Sequence, residues 1–168
     1  MAKEKSLEQD FFPPDYKLPD GSGYMKFLQG ENKFRILSSP VMGYEYWTTE
    51  DKPVRSKEKF TETPNIKIDP KTGKSSVNHF WAMVVYNYAT EEVQILEVTQ
   101  KGILKYILGM VNDQNWGSPK GYDLVVTREG EGLATKYSTR SNPHKDVDKK
   151  VLEKFEASEI DLEELFKN

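Results

Sequence analysis

Apolar and polar positions alternate from Lys33 to Ser38, the two-residue period of a half-buried strand. Pro40 and Gly43 punctuate, and Tyr44-Glu45-Tyr46-Trp47-Thr48-Thr49 predicts a second, aromatic-rich strand. Residues 50 to about 78 lose the pattern. They carry Pro53, Pro64, Pro70 and the turn signal Asp69-Pro70-Lys71-Thr72-Gly73, so a long loop is expected. Then His79 to Tyr88 is apolar on both faces, Ala89-Thr90-Glu91-Glu92 reads as a turn, and Val93 to Val98 returns, which predicts a core hairpin. Ile103, Leu104, Ile107, Leu108 and Val111 recur at helical spacing, predicting a helix from about Gln100 to Asn112 capped by Thr99. Trp116-Gly117-Ser118-Pro119 ends it. A second hairpin is expected from Tyr122–Glu129 and Ala134–Arg140 around Gly130-Glu131-Gly132. Val147, Val151, Leu152 and Phe155 predict a short late helix.

This order is mainly β. It fits a single OB-like small barrel with one inserted helix, a long basic loop and a short C-terminal helix and tail. Residues 1–29 read as an irregular arm, because Phe11-Phe12-Pro13-Pro14 and Leu18-Pro19-Asp20-Gly21-Ser22-Gly23 hold neither helix nor central strand. The two phenylalanines are expected to tuck against the core. The barrel domain is placed at 30–143, with 50–78 as its basic loop insertion, and the helix and acidic tail at 144–168. A chain of 168 residues suits one such domain.

Charge changes the picture. The net charge is −3, a weak argument against a nucleic-acid partner, but its placement is uneven. From Lys52 to Lys74 seven basic residues meet three acids, and from Asp146 to Asn168 eight acids meet four lysines. A +4 middle therefore faces a −4 end. With no cysteine, disulfides, thiolate nucleophiles and cysteine-based zinc sites are excluded. His79 and His144 are the only histidines, far apart in sequence, so no cofactor or metal is expected. No apolar run reaches the roughly 18–20 residues of a membrane span. The polar Met1–Asp10 start does not read as a secretory signal, so a cytoplasmic protein without a membrane partner is expected.

No set of nucleophile, base and orienter emerges, so no catalytic residue is assigned and an enzyme is not expected. Glu91-Glu92 and Glu163-Glu164 read as a solvated turn and tail. What remains is the chemistry of a single-strand binder: cations for phosphates and aromatic faces for bases. Tyr46 and Trp47 precede Arg55, Lys57 and Lys59; Tyr86 and Tyr88 lie on the central hairpin; Lys136, Tyr137 and Arg140 lie on the last one. The tyrosines suit barrel packing as well as stacking, Trp81 reads as core, and the basic loop suits a solvated insertion too. Arg35 and Arg128 are weaker candidates. In the tail, Asp161, Glu163, Glu164, Leu165 and Phe166 mix acids with apolar groups. That mixture suits partner recruitment or competition for the chain's own basic groove, or alternatively a last amphipathic turn docked on the domain.

Many short matches between 30 and 166 strengthen one reading. Phe80-Trp81-Ala82, Val84-Val85-Tyr86-Asn87-Tyr88, Val93 to Lys101, Asn115-Trp116-Gly117-Ser118-Pro119, Tyr122-Asp123, Thr127 to Gly132, Tyr137-Ser138 and Asn142-Pro143 follow in order. Ile160-Asp161-Leu162 and Leu165-Phe166 close the series. In these the chain resembles single-stranded DNA-binding proteins of bacteriophages and prophages. The resemblance implies an OB-fold, a single-stranded DNA partner with little sequence preference, and replication or recombination proteins recruited through the tail. Some members carry zinc in an insertion; the resemblance implies that the cysteine-free basic loop takes that region without metal. Two rivals remain: a protein-interaction module of a replication complex without direct DNA binding, and an accessory nuclease using carboxylates and a divalent ion. Duplex recognition is disfavoured, since no long basic helix is available for a major groove.

Overall fold

A computed structural model describes residues 23–167, and the expectation for Phe11 and Phe12 lies outside them. Within the described residues seven strands form one antiparallel sheet: β1 Gly30–Ile36, β2 Val41–Trp47, β3 Pro53–Ser56, β4 Asn78–Asn87, β5 Glu92–Val98, β6 Leu124–Glu129 and β7 Lys136–Ser141. Among the described residues two α-helices, α1 Lys101–Val111 and α2 Lys149–Ser158, and a 3-10 turn at Leu162–Phe166 pack on this sheet. Among the described residues no helix is long and apolar enough to cross a membrane.

The long strand β4 organises the sheet because its β-branched and aromatic residues are buried on both faces. One edge pairs with β5, from Trp81↔Val98 to Asn87↔Glu92. The other edge carries β2 and β1 in series, with Glu45 facing Asn78 and Phe34 facing Asn87. Between them Ile36 faces Val85 while Val41 faces Ala82, five steps along one strand against three along the other. This is a bulge. Pro40 offers no ladder donor there, and the Ser38 hydroxyl accepts the Val84 N–H at 2.8 Å. β1 then hands its opposite edge to β6, from Phe34↔Leu124 to Gly30↔Arg128, and β6 pairs with β7.

The sheet is not closed into a barrel. No ladder joins β5 to β7 among the described residues. The outer edge of β5 is instead taken by the arm: Met25 N–H donates to the Ile95 carbonyl at 2.8 Å and Ile95 N–H to the Gly23 carbonyl at 2.9 Å. A strand edge satisfied in this way has no donors or acceptors left for β7 at those positions.

The inner face holds the main core, where Phe34, Ile36, Met83, Val85, Leu96 and Val98 meet Ile103, Leu104 and Ile107 of α1. Each such side chain contributes about 1.5–3 kcal/mol on burial. The expected Thr99 cap is not used: Gln100 is the N-cap and makes no side-chain cap bond. Core packing, rather than capping, holds α1 in place. On the outer face Phe80, Ala82 and Val84 of β4 meet Leu162 and Leu165, with Phe155 and Phe166 beside them. Both faces of β4 are therefore apolar because each supports its own core.

Candidate nucleic-acid interface

The expected loop from 50 to 78 is in part an ordered arm. Residues 53–56 are strand β3, paired with β2 from Tyr44↔Ser56 to Trp47↔Pro53. Beyond it the chain folds back: Lys67 N–H donates to the Trp47 carbonyl, Thr49 N–H to the Asn65 carbonyl, and Asp69 N–H to the Lys74 carbonyl. Sequence reasoning missed β3 because it is four residues long and opens on a proline. The register leaves Trp47 44% exposed. Its indole borders a groove of about 510 Å³ whose walls include Lys67, Lys74, Asp51 and Asp69. Asp51 accepts a hydrogen bond from Lys67.

The ten residues expected to hold DNA do not share one environment. Trp47, Lys59 and Lys136 face solvent. Lys57 and Arg140 are exposed but already paired, Lys57 with Glu163 at 2.7 Å and Arg140 with Glu31. Tyr137 is half-buried against Phe27, ring centroids 6.0 Å apart.

Three expectations are corrected by burial. Tyr46 is 2% exposed, with its hydroxyl donating to the Pro64 carbonyl and Phe60 edge-on at 4.8 Å. Tyr86 is buried with Leu37 and Val151, its ring edge-on to Tyr88 at 5.0 Å. Neither offers a free face to a base. Arg55 lies between two carboxylates, 2.9 Å from Glu97 and 3.3 Å from Glu45, and is no phosphate ligand in this state.

Tyr88 is held rather than presented. Its hydroxyl donates to Asp123 at 2.7 Å, and the Lys33 ammonium covers its ring at 4.5 Å. Burial, then the bonded Asp123 carboxylate, pushes the phenol up from its ordinary value. Asp123 also receives Arg35, 1% exposed, at 2.7 Å. Arg128 donates to the Phe27 carbonyl at 2.9 Å. Both weaker candidates thus serve the fold.

The Glu45–Arg55–Glu97 cluster follows from register. Glu45 stands directly opposite Arg55 on β3, and Glu97 reaches across from β5. Burial, with a hydrogen bond and repulsion from Glu97, pushes the Glu45 carboxyl up to about 8, against the pull of Arg55. Near neutral pH it therefore keeps a proton, and one arginine offsets one charge.

No protein-family model, no curated protein and no solved structure matches this chain.

The tail lies on the outer face beside this cluster. Leu165 is 8% exposed, the Phe166 ring is 5.9 Å from Phe80, and the Lys57 ammonium lies 5.3 Å from the Phe166 centroid. Gly43 makes the seat: a Cβ there would stand 2.9 Å from the Phe166 ring and 2.4 Å from the Ser56 carbonyl oxygen. Of the five tail residues expected to meet partners, Leu165 and Phe166 pack on the chain's own sheet. Glu163 holds Lys57, Glu164 pairs with Lys167 at 3.0 Å, and Asp161 caps the 3-10 turn by accepting the Glu163 N–H. Lys67 and Lys74, counted in the sequence only within the loop's charge, are the cations brought to Trp47. The turn at Asp69–Gly73 that returns Lys74 was the available signal.

Proposed function

We propose that this protein binds single-stranded DNA with little sequence preference, in DNA replication or recombination of the kind a phage carries out. The observation that carries the reading is Trp47: an exposed indole on an arm fixed by backbone hydrogen bonds, with Lys74 and the Asp51-paired Lys67 beside it. An exposed aromatic face accepts any base by stacking, worth about 1–3 kcal/mol per base, and nearby lysines supply sequence-blind attraction to phosphates. Lys59 and Lys136 are further exposed cations.

The topology is compatible with this use. Strands β5–β4–β1–β6–β7, with a helix between β5 and β6, follow the order of an OB-type barrel opened where its third and fifth strands would meet. In that reading the arm between β2 and β4 is a binding loop on a rigid sheet. The docked tail favours self-competition: it holds Lys57 through Glu163, a contact that a phosphate would replace.

The test is a titration of intrinsic fluorescence with a mixed-sequence single strand of about 30 nucleotides, on the unmodified protein and on Trp47→Ala. Binding by the former and clearly weaker binding by the latter are expected. Equal affinities would remove Trp47 from the site.

A further inference from the structure

The inner side of the β2–β4 ladder carries a second aromatic surface. Register sets Tyr44 opposite His79 and Met42 opposite Trp81, and strand alternation puts these four side chains on one face. The Tyr44 and His79 rings stand 5.1 Å apart, and His79 Nδ1 is fixed 2.8 Å from the Gly43 carbonyl oxygen. Met42 is 48% exposed, His79 is exposed, and Tyr44 and Trp81 are half-buried. The β1–β2 bulge and α1 then continue this face into an apolar pocket of about 350 Å³, on which Met42, Trp81, Leu108 and Val111 open.

Charge decides between occupants. The pocket lining includes one cation, Lys120, and no acid. At the other end of the track Phe60 packs on Tyr46, next along the same face of β2, and carries the exposed Lys59 beside it. An aromatic track that ends in an acid-free pocket with one lysine and carries Lys59 at its other end, in a chain of 27 acids and 24 basic residues, suits a polyanion bearing flat apolar groups. Spacing narrows the class. Successive side chains on one strand face repeat at about 6.8 Å, roughly twice the 3.4 Å rise per nucleotide of a duplex strand. An unstacked strand reaches that spacing and a stacked duplex does not.

We propose that Tyr44, His79 and Trp81 form a base-stacking track for single-stranded DNA, in which one base enters the apolar pocket beside Trp81 and Lys120 meets its phosphate. The proposal rests on the single-strand reading above. It places bases on the side of β2 away from Trp47 and on the face of β4 that the tail leaves open.

Trp47→Phe with Trp116→Phe leaves Trp81 as the sole tryptophan reporter, and Trp81→Phe with Trp116→Phe leaves Trp47. Titration of the Trp81-only protein with a mixed-sequence oligonucleotide is expected to quench its emission by about half or more, with quenching lost at high salt. Tyr44→Ala in the unmodified protein should weaken binding about ten-fold and leave the thermal midpoint nearly unchanged, since Tyr44 is only half-buried. If the unmodified protein and the Trp47-only protein bind while Trp81 emission stays constant and Tyr44→Ala binds normally, the track is overturned and a protein occupant of the face is favoured. If the unmodified protein binds no single strand, the parent reading fails and this one with it.

Discussion

Lys57 of the basic arm and Glu163 of the acidic tail stand 2.7 Å apart, so the basic middle and the acidic end of the chain meet on one face of the sheet. The contact is exposed and of small energy by itself. Its role is positional, because it lies beside Phe166, Phe80 and the Glu45–Arg55–Glu97 cluster.

Arg55 and Lys59 separate fold from binding. Arg55→Ala leaves the Glu97 carboxylate without its counter-charge beside the protonated, buried Glu45 and should cost about 3–5 kcal/mol of stability. Lys59→Ala should leave the urea midpoint unchanged and lower the salt slope of single-strand binding by about 1. Urea melts of both variants beside a salt titration check this. A stable Arg55→Ala protein with weakened DNA binding would return Arg55 to the site.

Gly43→Ala tests the tail seat. The added methyl meets the Ser56 carbonyl oxygen, which as ladder backbone cannot swing away, and then the Phe166 ring. A loss of about 1–3 kcal/mol is expected from overpacking, together with faster proteolysis of the tail. Phe166→Ala in the same protein should recover part of the loss. A neutral Gly43→Ala would show that β2 and β3 separate easily there.

Glu45 gives a pH signature. Its folded value, about 8, stands above the ordinary 4.5. The folded state therefore holds a proton that the unfolded state gives up. The associated stability is complete below about pH 4.5, declines as the pH rises towards 8, and is gone above it. Glu45→Gln should flatten this part of the profile and raise stability at pH 8.5 relative to the parent. Urea midpoints between pH 5 and 9 check the sign. A parent midpoint that rises with pH across this window would contradict it.

Much of the fold was legible from hydrophobic period. The β4–β5 hairpin, α1, the β6–β7 hairpin and α2 follow from runs long enough to show two- or 3.6-residue repeats. Strand β3 was not, because four residues carry no period. Closure failed for a long-range reason: the Gly23–Met25 segment, irregular by sequence, takes the β5 edge. At the site, exposure decided the outcome. Tyr46, Trp47 and Arg55 look equally suited to DNA in sequence, yet alternation along β2 buries Tyr46, leaves Trp47 outside, and sets Glu45 opposite Arg55. Partners across strands, 10 to 52 residues away in sequence, make these assignments (Arg55 lies 10 from Glu45 and 42 from Glu97). No local pattern announces them.

The most direct measurement is the anisotropy of an end-labelled mixed-sequence single strand, and of the same sequence as duplex, titrated with the unmodified protein across a salt series. Tight binding of the single strand with log affinity falling linearly in log salt, and much weaker binding of the duplex, is the expected result. No salt-dependent single-strand binding, or equal affinity for the duplex, would contradict the central claim.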